Sequence, residues 1–149
     1  MPKYRASIDI QSTPEKVFHF HDDTSNLLRI TPPDTRVELV SATPAGKGQR
    51  VKLSVTQFGF LKNTWEVEIT TYEPPRKMID EQLHGPFHKW VQTRTVMDLG
   101  NGLTRLTDEV EYELPMHAIG DFFAGRFVAA EISKMFEYRQ RKTKEILEN

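Results

Sequence analysis

Arg105-Leu106-Thr107-Asp108-Glu109-Val110-Glu111-Tyr112-Glu113-Leu114-Pro115 is the stretch that decides the fold. Arg105, Thr107, Glu109, Glu111 and Glu113 suit water, while Leu106, Val110, Tyr112 and Leu114 suit burial. That period of two describes a strand with one wet face and one dry face. Asp108 falls on the dry side and is expected to point inward. Pro115 closes the strand, and after a Met116 to Gly120 loop the chain has no proline through Asn149, which predicts a long helix beginning near Ile119. At 100° per residue Phe122, Ala129, Ile132, Phe136, Thr143 and Leu147 form one stripe, with Lys134, Glu137, Arg141, Lys144 and Glu145 broadly opposite. A half-buried strand followed by a half-buried helix implies that the helix lies across the sheet.

Upstream, the period stays near two from Thr35 to Leu114, interrupted by turn chemistry at Pro44-Ala45-Gly46-Lys47-Gly48, Gly59, Pro74-Pro75, Gly85-Pro86 and Gly100-Asn101-Gly102. These signals divide six strands. Val51, Leu53 and Val55 share one face, as do Trp65, Val67 and Ile69, whereas Lys52, Glu66 and Glu68 point the other way. Tyr4 to Ile10 alternates in the same manner and supplies a seventh strand. Between it and Thr35, Ser12-Thr13-Pro14-Glu15 reads as a helix start, with a hydroxyl cap and a proline where no N–H is needed, so a short helix spans about Pro14 to Phe20. A second runs from Asp22 to Ile30 and stops at Thr31-Pro32-Pro33. The order β, α, α, six β, α, without repeat or linker, predicts one α+β domain over residues 1–149.

The chain has 149 residues, with 20 Lys and Arg against 21 Asp and Glu. A formal net charge of −1 gives no general attraction to nucleic acid or to an anionic membrane. Cysteine is absent, which excludes disulfides and thiolate catalysis and is compatible with the cytoplasm. No stretch approaches the roughly 20 apolar residues that span a bilayer, and the N-terminus leads into alternation instead of an apolar run. The expectation is a soluble, unprocessed, cytoplasmic protein without stable membrane insertion. Nothing in the residues selects an oligomeric state.

The element order, together with Asp80-Glu81-Gln82-Leu83-His84-Gly85-Pro86-Phe87-His88-Lys89-Trp90 and Thr107-Asp108-Glu109-Val110-Glu111-Tyr112-Glu113-Leu114-Pro115, resembles the START-like (SRPBCC) superfamily near its cyclase/dehydrase-like branch. The resemblance covers nearly the whole chain. It implies a helix-grip fold, in which a seven-stranded curled antiparallel sheet surrounds a long C-terminal helix and encloses a cavity for a lipid, isoprenoid, polyketide or other apolar molecule. It does not imply one reaction. Gln92 and Arg94 stand where the related bacterial group often looks histidine-like, so this chain departs from that pattern at two pocket positions.

Turns at Gly85-Pro86-Phe87 and Gly100-Asn101-Gly102, the last glycine in the left-handed region, set the register. Gln82 then faces Trp90, Asp80 faces Gln92, Arg94 faces Asp108, and Gln92 faces Val110, all on the inner side. An inward carboxylate at Asp108 needs a partner to offset its desolvation, and Arg94 is that partner. The functional reading is that Asp80, Gln82, Gln92, Arg94 and Asp108 orient the polar end of a ligand whose body lies against Trp65, Trp90, Tyr112, Phe122, Ile132 and Phe136. The structural reading is that Arg94 and Asp108 form an ion pair that holds the register. Arg139 lies beside the apolar stripe of the helix, within reach of an inward carboxylate.

Other chemistry finds little support. His84 and His88 flank a turn without a third ligand, and His19, His21 and His117 show no ligand spacing, so no metal is expected. Gly46-Lys47-Gly48 lacks both the full phosphate-binding pattern and the helix that must follow it. No serine or histidine stands in a nucleophile motif. Arg139 to Lys144 is a basic helix end that complements the helix dipole. The residues therefore favour cofactor-free binding of a small hydrophobic molecule. The enzymatic alternative is a cyclase or dehydratase that positions its substrate and moves a proton through Asp80, Arg94 or Asp108. A third class is a protein-interaction module that uses the exposed sheet or the basic helix end.

Overall fold

The computed structural model describes residues 2–57 and 61–149. The elements follow the expected order: β1 (Lys3–Gln11), α1 (Pro14–Phe20), α2 (Ser25–Arg29), β2 (Thr35–Ala42), β3 (Arg50–Gln57), β4 (Leu61–Glu73), β5 (Lys77–His84), β6 (Lys89–Gly100), β7 (Leu103–Glu113), a 3₁₀ turn at Met116–Ala118 and α3 (Phe122–Glu148). The seven strands form one antiparallel sheet in the order β1-β7-β6-β5-β4-β3-β2, a curled half-barrel that grips α3. The turn expected at Gly59 lies outside the described residues.

Local chemistry accounts for the helix starts. Thr13 Oγ1 accepts the Lys16 N–H at 3.3 Å, with Pro14 in the first turn of α1. Asp121 caps α3 by accepting from the Phe123 and Ala124 N–H groups at 3.0 and 3.1 Å. That cap, preceded by Gly120 at φ 88°, delays α3 to Phe122, three residues past the expected start near Ile119. The second helix is shorter than the Asp22 to Ile30 reading because Asp23 Oδ1 accepts from Ser25 N and Oγ, holding the chain in a turn until Ser25.

The decisive register agrees with the expectation: Arg94 faces Asp108, Gln92 faces Val110 and Asp80 faces Gln92. Two details differ. The β6–β7 turn is a two-residue loop with positive φ at both Asn101 (56°) and Gly102 (76°), and a bulge between Asp98 and Gly100 restores the same pairing. The β5–β6 ladder ends at Glu81 opposite Val91, so Gln82 does not pair with Trp90. Instead its Nε2 donates to the Phe87 carbonyl at 2.7 Å and braces the turn. A Cβ at Gly85 would meet the Gln82 amide, whose Cδ lies 2.6 Å from that position, so a larger residue there displaces the Gln82 side chain from its brace.

Two apolar clusters fill the interior. One, under α1, contains Ile10, Val17, Phe18, Ile69, Met78, Val96 and Leu106. The other, under the middle of α3, contains Trp90, Val110, Tyr112, Ile132 and Phe136. Along α3 the buried residues are Ile132, Phe136, Gln140 and Thr143, which corrects the upper part of the expected stripe. Phe122 is 67% exposed and Ala129 is exposed as well. The helix is tied to β1 from Ser133 onward, through Tyr4 Oη donating to the Ser133 carbonyl, Gln140 donating to the Ala6 carbonyl and Lys144 donating to the Asp9 carbonyl. On its first two turns Ala124, Gly125 and Val128 are half-buried, Val128 against the aromatic cluster, while Phe122, Phe123 and Phe127 are left to water. Angular periodicity places a residue on a face of the helix, but burial also requires a partner at that height along the axis.

Candidate functional site

Between the two apolar clusters lies a layer of polar side chains on the concave face of the sheet. Asp108 on β7 is its centre and is 3% exposed. Its Oδ1 accepts from Arg94 Nε at 3.1 Å and from Gln92 Nε2 at 3.3 Å, and its Oδ2 accepts from Gln140 Nε2 at 3.0 Å. Gln140 donates from the same nitrogen to the Ala6 carbonyl at 2.9 Å, so one amide stitches α3 to both β1 and β7. Three donors, one of them charged, replace the water that the carboxylate gives up on burial.

Asp80 on β5 and Arg139 on α3 complete the layer in a different manner. Burial lifts the Asp80 carboxyl to about 6, although Arg94 and Arg139 pull it down. Burial likewise lowers Arg139 to about 10, with Arg94 adding to the fall and Asp108 and Asp80 opposing it. The Arg139 guanidinium lies 5.5 Å over the Phe136 ring, and its Nε is buried without a hydrogen-bond partner. Both residues nevertheless retain some accessible surface.

His21, at the C-terminal end of α1, approaches the layer from below. Its Nδ1 donates to the Val17 carbonyl at 2.9 Å, which leaves Nε2 as the acceptor of a neutral ring. Burial, reinforced by Arg94 and Arg139, holds it well below the ordinary histidine value.

The aromatic wall stands above the polar layer. Trp90 is its hub, with ring centroids 5.3 Å from Trp65, 4.9 Å from Phe87, and 6.4 Å from both Tyr112 and Phe136. Of the residues expected at the site, Asp80, Gln92, Arg94 and Asp108 meet in the layer, and Trp65, Trp90, Tyr112, Ile132 and Phe136 meet in the wall. Gln82 belongs to the turn beside the wall, its Oε1 buried without a partner. Phe122 lies outside: its ring packs on Phe123 at 5.6 Å and faces water. The sequence reading missed Gln140 and His21. Gln140 carried one signal, a long polar residue four positions after Phe136 on the inward stripe.

Two clefts of about 360 Å³ lie elsewhere on the molecule. One is lined by Asp34, Arg36, Glu38, Ser54, Thr56 and Lys62, a charged surface with little to hold an apolar guest. The other lies between Pro32–Asp34 and α3 at Lys134, Glu137, Tyr138 and Arg141. Neither includes a residue of the polar layer. Of the cavity lining expected between Trp65, Trp90 and the Phe122 to Phe136 stripe, Phe122 is corrected, since it faces water, while the rings of Trp65, Trp90 and Phe136 pack on one another. Among the described residues no group of three or more His, Asp or Glu side chains is arranged to hold a metal ion.

With sheet, helix and layer in place, the chain can be set beside known proteins. The family model described as polyketide cyclase / dehydrase and lipid transport matches residues 1–148. The chain belongs to this family. Solved structures agree on the fold of this family member. Protein CV1439 from Chromobacterium violaceum superposes with a TM-score of 0.80 at 14% identity, covering 100% of this chain and 99% of that one. The Zhui aromatase/cyclase from Streptomyces sp. R1128 gives 0.80 at 18% identity, covering 99% and 93%. A START superfamily protein from Mycobacterium smegmatis gives 0.74 at 13% identity, covering 98% and 97%. The chain matches no curated protein. The family member described here thus has the START-like helix-grip fold.

Proposed function

We propose that the protein binds a small, largely apolar molecule between the concave face of the sheet and α3. The polar end of that molecule lies at the layer of Asp80, Gln92, Arg94 and Asp108, and its body lies against Trp65, Trp90, Tyr112, Ile132 and Phe136. The observation that carries the reading is that Asp108 is fully bonded within the layer, whereas the buried Arg139 Nε beside Phe136 has no hydrogen-bond partner among the described residues. An unpartnered buried polar group costs about 1–3 kcal/mol, and a guest with its own polar end removes that cost. The ring-lined wall yields by side-chain rotation, as aromatic binding surfaces do when a ligand enters. Native mass spectrometry of gently purified protein, followed by organic extraction, tests the proposal. A retained lipid-like molecule, lost when Arg139 is replaced by Met, is the expected result; protein that neither retains nor takes up an apolar molecule refutes it.

The cyclase/dehydratase reading is favoured by one specific feature. Asp80, lifted to about 6, is suited to accept and return a proton near neutral pH. If it does, Asp80→Asn abolishes turnover of a polyketide-like substrate while leaving its binding intact, whereas a binding protein shows no turnover to lose.

A further inference from the structure

The approach to α3 and its first turns differ in composition from the rest of the chain. Residues 114–130 carry two charges, Asp121 and Arg126, where the chain as a whole is 28% charged. Such a segment belongs in a core, yet Met116, Ile119, Phe122, Phe123 and Phe127 are 69%, 53%, 67%, 81% and 57% exposed. Phe122 and Phe123 touch at 5.6 Å between ring centroids. Phe123 and Phe127, four positions apart, stand on the face of the helix opposite the buried Ile132 and Phe136. Monomeric domains seldom keep so large an apolar patch in water without a use for it. We propose that this patch is a docking surface for an anionic phospholipid bilayer, with the three phenylalanines inserted among the headgroups.

Shape selects a bilayer over a second protein. Exposures this high mean that the side chains stand out from the surface, and neither cleft of the molecule includes them, so the patch is a convex tip and not a groove. A stable protein interface takes about 20–30 residues a side with matched shapes, far more than this tip offers. A bilayer conforms to whatever enters it and asks for apolar area with cations at the rim. No helix among the described residues is long and apolar enough to cross a membrane, so the contact is peripheral.

The nearest charges favour an anionic surface. Asp121, within the patch, is engaged as the helix cap and accepts from the Phe123 and Ala124 N–H groups. The Arg126 guanidinium lies 5.8 Å over the Phe122 ring, at the rim of the tip, and makes no ion pair among the described residues. At the same end of the sheet Glu111 is held by Lys3 at 3.1 Å and Glu113 lies 3.6 Å from His88, while the exposed Lys89, opposite Glu113 in the register, is in no ion pair among the described residues. Glu131, a turn beyond Phe127, begins the polar part of α3. Val128 on the same turns packs on the aromatic cluster, so a docked molecule presents that cluster to the bilayer. Docking itself does not depend on the ligand-binding reading.

The absence of cysteine makes the test clean, because Phe123→Cys and Met97→Cys each provide a single site for an environment-sensitive nitrobenzoxadiazole label. Met97 is 53% exposed and lies toward the other end of the sheet, near the β6–β7 turn. With vesicles of phosphatidylcholine containing about one-third phosphatidylglycerol, the label at position 123 brightens and shifts to the blue, and the label at position 97 does not. Unlabelled wild-type protein sediments with the same vesicles. Combined Phe122→Ser, Phe123→Ser and Phe127→Ser weakens that partitioning about a hundredfold or more, and Arg126→Gln weakens it about fivefold, an effect absent with pure phosphatidylcholine. These variants keep the wild-type circular dichroism, since the side chains already lie in water. Wild-type protein that stays in the supernatant overturns the proposal, and so does an equal response from the two labels. A dimer that the serine variant dissociates assigns the patch to a second copy and overturns it as well. Ligand retention is measured without vesicles, so its failure removes the ligand-binding reading and leaves docking standing.

Discussion

The two apolar clusters on either side of the polar layer are built to different ends. The cluster under α1 is mostly aliphatic and closed: Ile10, Val17 and Phe18 are fully buried and Leu106 nearly so. The cluster under α3 is equally buried but mostly aromatic, and beside it the start of α3 leaves Phe122, Phe123 and Phe127 at 67%, 81% and 57% exposure. A close-packed aliphatic core has few low-energy alternatives, whereas flat rings joined by edge and tilted contacts can rotate about two torsions with small losses in area. The difference teaches that stability is concentrated below the layer and adaptability above it.

The strongest challenge to that division is Phe18→Ala. Phe18 has no exposed surface and packs edge-on against Tyr72 at 5.4 Å, so truncation leaves a cavity in the closed cluster and costs about 4–5 kcal/mol in denaturant unfolding. A loss below about 2 kcal/mol shows that the lower cluster can also rearrange. Next in size is the layer itself. Arg94→Met strands Asp108 with only two amide donors and costs about 3 kcal/mol, while the double replacement Arg94→Met with Asp108→Leu recovers most of it. Near-neutral single variants sink the ion pair as the divider of the two clusters.

A smaller effect has the opposite sign. The folded Asp80 carboxyl titrates at about 6, above its ordinary 3.8, so between these values the folded state holds the proton that the unfolded state has lost. Stability therefore falls as pH rises through this window, by on the order of 2 kcal/mol. Asp80→Asn removes the fall and is more stable than wild type at pH 7 but not at pH 3.5, as thermal unfolding across that range shows. Smallest of all is Phe123→Ser, at the open end of α3. It changes stability by less than about 0.5 kcal/mol, because the ring is already in water, and a larger loss places Phe123 in a contact that the fold does not show.

Much of the layer was legible because antiparallel pairing is local arithmetic. Asn101-Gly102 and Gly85-Pro86 mark the hairpin ends, and counting back from them puts Arg94 opposite Asp108 and Asp80 opposite Gln92. The count survived the bulge near Gly100 because the shorter loop and the extra residue cancel. It failed at Gln82, where the ladder ends before the turn and the side chain turns to the Phe87 carbonyl instead of facing Trp90.

Residues 105–115 and the proline-free run after them thus determined by themselves that a half-buried strand is followed by a helix with one buried stripe, and that Asp108 points inward. Pattern and turn chemistry act over a few residues, so they are written in consecutive positions. Which residues of α3 meet the layer was decided only in three dimensions. Gln140 reaches Asp108 across 32 positions of chain, His21 comes up from α1 beneath Arg94 and Arg139, and Phe122 is left uncovered. Each depends on the height at which the helix docks against β1, a balance of contacts over the whole interface that no single stretch of sequence contains.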